Sequence, residues 1–271
     1  MRHRYSILFI AGLFSATVIM TALFVGGPAG CGSTADTGDT GGTGGDDLDV
    51  SAADLERGGR LYDSWFGETT ADDTPTTDFS LYATTTGTQT GTATWRCKEC
   101  HGWDYQGAAG AYATGSHSTG VAGVLNHGLT NQELLDALQN TTTGHDFSSV
   151  LAAADLLDLV RFLSEGLINT ATHINSDKSI IGGDAAAGQT LFEGTAQCSL
   201  CHGADGTTIN FGDDVEPEYV GTVASDNPWE GLHKIRWGHP GAAMPSAVVD
   251  TELTTQQQVD VLTHAQTLPT E

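Results

Sequence analysis

Cys97-Lys98-Glu99-Cys100-His101 and Cys198-Ser199-Leu200-Cys201-His202 decide how this chain is read. The two pentapeptides take up four of its five cysteines, each time in the spacing C-x-x-C-H. Thiols separated by two residues can each add to one vinyl group of the same porphyrin, and the next residue then offers an imidazole to the iron. A redox dithiol, a structural disulfide and half of a zinc site use related spacings. Two copies, each with its histidine and with only Cys31 left over, favour the first chemistry. The expectation is two covalently bound haem c groups, one at Cys97, Cys100 and His101 and one at Cys198, Cys201 and His202.

The sequence around the pentapeptides repeats as well. Gly58-Gly59-Arg60-Leu61-Tyr62 precedes the first and Gly188-Gln189-Thr190-Leu191-Phe192 the second, each reading G-x-x-L-aromatic. After them, His101-Gly102-Trp103-Asp104 answers His202-Gly203-Ala204-Asp205. Each half then carries a helix start signal, Thr130 with Glu133 in one and Asn227 with Pro228 and Glu230 in the other. Each closes on a helical apolar stripe. Leu156, Leu159, Val160 and Leu163 run to Gly166, and Val259, Leu262 and Ala265 run to the turn before Pro269.

On these residues the chain resembles two tandem class I cytochrome c domains, covering about 51–170 and 183–271 with a linker at 171–182. The resemblance implies an all-α fold of two helical domains, each around one haem. It also implies that Gly58 and Gly188 let the first helix of each half pass close to the last, with Tyr62 and Phe192 packed beside the crossing. Tyr62 lies 35 residues before Cys97, whereas Phe192 lies six before Cys198. The first half therefore carries about 29 extra residues, rich in Thr, Asp and Gly, which read as surface loop.

Each iron needs a sixth ligand if it is to act as a simple carrier. Met244, in Gly238-His239-Pro240-Gly241-Ala242-Ala243-Met244-Pro245, lies 42 residues after His202 and resembles the family's Met-Pro ligand loop; His239 is its rival. No methionine serves the first half. His145 stands 44 residues after His101, the counterpart of Met244, and is the expected ligand, with His117 the strongest alternative and His127 and His173 behind it. Trp95 and Trp103 bracket the first pentapeptide and read as a shield for a haem edge. Lys234 and Arg236 read as partners for propionates.

Arg2 and Arg4 precede an apolar run from Ile7 to Val25, the pattern of an export leader over 1–30. Pro28-Ala29-Gly30 before Cys31 resembles the lipobox of bacterial lipoproteins, with Pro28 where leucine usually stands; an uncleaved anchor helix is the rival reading. Residues 31–50 read as an acidic flexible tether. Both readings place the rest of the chain on the periplasmic side of the membrane, held by lipid at Cys31 or by the N-terminal helix. Ten Lys and Arg stand against 34 Asp and Glu, a net charge of −24, which argues against nucleic acid and for redox partners with a basic docking face. The expected function is electron transfer between such partners. The alternative is a haem enzyme of the peroxidase or sulfur-compound dehydrogenase type, acting on a small molecule at the first haem.

Overall fold

Asp54 accepts the N–H of Arg57 and so opens helix α1, Leu55–Glu68. The computed structural model describes residues 47–69, 74–213 and 215–271, and the other helices follow in order. They are α2 (Cys97–His101), α3 (Asn131–Leu138), α4 (Ala153–Arg161), α5 (Ala185–Glu193), α6 (Ser199–His202), α7 (Val220–Asp226), α8 (Pro228–Trp237) and α9 (Thr255–Ala265). Thr130 caps α3 through a reciprocal box with Glu133, Pro228 starts α8, and a π turn at Phe162–Gly166 ends α4. Beyond isolated bridges, the extended structure among the described residues is one two-residue ribbon, β1 (Gln139–Asn140) against β2 (His145–Asp146), so the fold is helical. The leader, Cys31 and the tether up to residue 46 lie outside the described residues. The tether's last four residues dock on the body. Val50 is buried, and the Asp47 carboxylate accepts the N–H groups of Asn131 and Gln132 at the start of α3. No helix among the described residues is long and apolar enough to cross a membrane.

Two helix crossings set the architecture, and the same local chemistry builds both. A Cβ on Gly58 would lie 2.1 Å from the Asp158 carbonyl oxygen, and one on Gly188 would lie 1.9 Å from that of Asp260. Only a residue without a Cβ allows α1 to press on α4, and α5 on α9, so closely. The Asp54 N–H donates to the Asp158 carboxylate at 2.7 Å, and the Asp184 N–H donates to Asp260 at 3.0 Å. Tyr62 then packs on Phe162 and Phe192 on His264, each pair with ring centroids 5.3 Å apart.

The two helix pairs interlock by exchanging tryptophans. Trp103, just after α2, is buried in the core built by Leu232, Leu262 and Trp229. Trp237, the last residue of α8, is buried in the core of α1 and α4, 5.5 Å from Phe162. A Cβ on Gly59 would lie 2.4 Å from its Cγ. Burying a tryptophan contributes on the order of 5 kcal/mol.

A buried polar junction joins the same elements. Asp63 is fully buried and ion-paired to both Arg96 and Lys234. Burial alone would raise its carboxyl pKa, but the two cations hold it below the usual carboxylate range. Arg96, Lys98 and Lys234 also stand over the Trp103 ring, 5.2 to 5.8 Å from its centroid. Lys234 and Arg236, read from the sequence as partners for propionates, both have partners within the protein. Lys234 is committed to Asp63, and Arg236 donates to Gln258 and to the Gly166 carbonyl.

His233, on α8, sits at the centre of this junction. Its Nε2 lies 3.0 Å from the Gly59 carbonyl and its Nδ1 2.8 Å from the Tyr105 hydroxyl. Facing a carbonyl, Nε2 carries the proton, and Nδ1 accepts from Tyr105. Burial pushes the pKa of the ring down to about 3. In the unfolded chain a histidine titrates near 6.5, so between about pH 6.5 and 3 the unfolded state binds more protons, and stability falls as the pH is lowered through that window. His233→Gln is expected to lose melting temperature less steeply than the wild type between pH 6.5 and 4. Equal slopes in thermal melts would show that His233 does not set this dependence.

Candidate functional site

The short helix α2 ends at Gly102 and α6 at Gly203, with φ of +76° and +79°, and each glycine N–H returns to the first free carbonyl, of Lys98 and Ser199. This turn fixes the histidine of each pentapeptide against its two cysteines.

In the first half, Cys97, Cys100 and His101 line one cavity together with His145 of β2. Tyr62, Phe79, Trp95, Phe147, Leu159 and Leu163 form apolar walls. The cavity holds about 240 Å³.

The two imidazoles are held by the same device. The Nδ1 of His101 is 2.7 Å from the Ala122 carbonyl, and that of His145 is 2.9 Å from the Ala137 carbonyl. In a neutral ring the nitrogen facing a carbonyl carries the proton, so Nε2 is the atom through which either ring would offer a lone pair. Neither Nε2 has a hydrogen-bond partner among the described residues. Burial lowers the pKa of His101, keeping the ring neutral as a metal ligand must be. The ring centroids are 6.4 Å apart, with planes inclined at 75°. Two imidazoles and two thiols thus line one cavity, a donor set that fits an iron held by two histidines on a thioether-bound haem.

The competing chemistries fit less well. Burial pushes the thiol of Cys97 up to about 12 and that of Cys100 to about 11, whereas a reactive dithiol needs a lowered pKa. All four described cysteines are free thiols. Among the described residues no three His, Cys, Asp or Glu side chains gather as a metal site of their own. His117 is exposed and faces Glu99 at 3.4 Å, and both ring nitrogens of His127 are engaged, by the Leu163 carbonyl and the Leu129 N–H.

The extra residues of the first half are not the plain surface loop their composition suggests. Phe79 and Tyr82 are buried. Phe79 packs 4.7 Å from Trp95 and 5.2 Å from Phe147, and its N–H donates to Thr94 Oγ1 at 2.7 Å. Trp65 Nε1 donates to the Trp95 carbonyl, tying this wall to α1. The available signal was three aromatics, Phe79, Tyr82 and Trp95, in an otherwise small and polar stretch.

The second half is assembled differently. Cys198 packs with Phe192 and Leu253, its thiol pushed up to about 11 by burial, and Cys201 is exposed. The ring neighbour of His202 is Phe211, at 5.9 Å, where His101 has His145. Burial lowers the pKa of His202, and its Nδ1 is buried without a hydrogen-bond partner. Met244 is half-buried on the loop 238–245, and His239 is exposed with Nδ1 on the Pro240 carbonyl.

No family model, curated protein or solved structure matches this chain. In chain whose cysteines carry no modification, iodoacetamide at neutral pH is expected to label exposed Cys201 well before Cys97, read by peptide mass spectrometry. Faster labelling of Cys97 would reveal a thiolate there and reinstate the dithiol reading.

Proposed function

We propose that this chain is a two-haem c-type cytochrome that carries electrons between redox proteins on the outer face of a cytoplasmic membrane. The observation that supports it best is the pair His101 and His145, 6.4 Å apart in the cavity that Cys97 and Cys100 line. Thioether bonds to Cys97 and Cys100 would hold one haem, and bonds to Cys198 and Cys201 the other. His101 with His145, and His202 with Met244, would ligate the irons.

When bound, each haem supplies a one-electron ferric/ferrous couple. The chain's own part is to bind, orient and exclude water. The carbonyls of Ala122 and Ala137 keep a proton on each Nδ1 and fix the ring planes, so neither ligand has to reorganise when charge changes. Tyr62, Phe79, Trp95 and Leu159 make a dry wall that disfavours extra charge beside the iron. A second imidazole donates more strongly to ferric iron than a thioether does, so the first haem is the lower-potential one and the second the higher. With both His101 and His145 as ligands the first iron would keep no position for a substrate, which favours a carrier over a peroxidase or sulfur-compound dehydrogenase.

Attachment through a lipid at Cys31, or through an uncleaved N-terminal helix, would keep the carrier at the membrane. The excess of carboxylates suits a partner with a basic docking face.

Protein made in a host that matures c-type cytochromes is expected to carry two haems that survive denaturation. Cys97→Ala should lose one and Cys198→Ala the other. His145→Ala should turn only the first haem high-spin and open it to carbon monoxide, while in the wild type the higher-potential step of a redox titration belongs to the second haem. A wild-type chain without covalent haem would end this reading. A His145→Ala protein still low-spin at both haems would move the sixth ligand to another residue.

A further inference from the structure

The loop that carries Met244 is held at its tip by the other half of the molecule. Its backbone turns at Gly238 and Gly241, with φ of +82° and +69°. At the base, the Ser246 hydroxyl donates to the Arg236 carbonyl at 2.7 Å, and a Cβ on Gly238 would lie 2.3 Å from the Met244 carbonyl oxygen, so the two ends of the loop are drawn together. The tip lies on the C-terminal end of α1. The Gly241 N–H donates to Glu68 Oε2 at 3.2 Å, and a Cβ on Gly241 would stand 2.5 Å from the Gly67 carbonyl oxygen. Pro240 packs there as well, since a Cβ on Gly67 would come 3.3 Å from its Cβ.

Glu68 is itself fixed. Its side chain is 10 % exposed, with Oε1 3.0 Å from Arg60 Nε and 3.9 Å from Arg57 Nε. Arg60 also reaches the Trp237 carbonyl, at 3.5 Å, on the peptide that leads into the loop. One ion-paired group on α1 thus touches the loop at its entrance and at its tip. Met244 lies between Gly241 and Ser246, the two points where the backbone is tied down.

We infer that Glu68, supported by Arg60, is a positioning residue for Met244, and that α1 of the first half thereby sets how firmly the second iron keeps its sixth ligand. This rests on the two-haem reading above. A thioether is a weak ligand that an outside base can displace, so its retention depends on how closely the backbone confines it. Releasing Gly241 from α1 frees the three residues before Met244 without touching Met244, His202 or either cysteine.

The test uses the full-length holoprotein. Oxidised haem with methionine ligation shows a sulfur-to-iron charge-transfer band in the far red, and imidazole bleaches it by displacing the methionine. Glu68→Ala is expected to lower the imidazole concentration for half-bleaching by about three- to tenfold, the net worth of one solvent-accessible hydrogen bond. Glu68→Gln, which keeps an acceptor for the Gly241 N–H, should restore much of the difference. Gly241→Ala, whose Cβ cannot fit against Gly67, should reproduce the loss from the other side of the contact and keeps the test alive if Glu68→Ala fails to fold. All three should hold two covalent haems, with the first unchanged in spectrum and potential. A band present in the wild type and equally resistant in Glu68→Ala and Gly241→Ala would overturn this inference alone. Two covalent haems in the wild type with no such band would overturn the Met244 assignment and the inference with it.

Discussion

At Gly58 the backbones of α1 and α4 touch, and the first site depends on that contact. A methyl group there would push apart two helices that both line the cavity, α1 through Tyr62 and α4 through Leu159. The Asp158 carboxylate, which accepts the Asp54 N–H and pairs with Arg57, fixes the angle at which they cross. The equivalent contact at Gly188 carries α5 over α9, and Phe192 leads from it to the core beside Cys198. Each pentapeptide is thus placed by a glycine roughly ten to forty residues before it, which explains why a short motif without a core of its own can hold a fixed orientation.

Much of this is legible in the sequence because it is local. The capping box at Thr130, the proline that starts α8 and the stripe through Leu156 and Leu159 each depend on residues within a turn or two, and all three appear as read. The repeat of G-x-x-L-aromatic marks both crossings for the same reason: a glycine and an aromatic four residues on lie on one helix face. What stays hidden is tertiary. The carbonyls of Ala122 and Ala137 orient two histidines, and nothing in the letter Ala announces a backbone acceptor. The segment around Phe79 reads as loop because its threonines outnumber its aromatics, although Phe79 and Tyr82 are buried. Lys234 and Arg236 look free in sequence, since Asp63 and Gln258 are distant along the chain from one and on another helix from the other.

The distribution of charge follows from how few cations there are. Arg57, Arg60, Arg96, Lys98, Arg161 and Lys234 all pair with carboxylates, and Arg236 is buried. Arg57, Arg96 and Lys234 tie separate elements together while Arg60, Lys98 and Arg161 pair within their own segments, and the carboxylates left in surplus make the surface acidic. Screening over about 8 Å at physiological ionic strength leaves such a surface active only at close range, where it acts on encounter and orientation more than on the depth of binding.

The exchanged tryptophans make the two repeats hard to inherit apart. Repeats that each close their own core can be shuffled, fused to other chains or lost singly. Here Trp103 completes the core of one helix pair and Trp237 that of the other. A chain severed within 171–182 would leave an indole uncovered on each fragment and a gap of the same size in each core. Recombination at that point would require a compensating change on both sides at once, so these halves would be expected to travel through evolution as one indivisible piece.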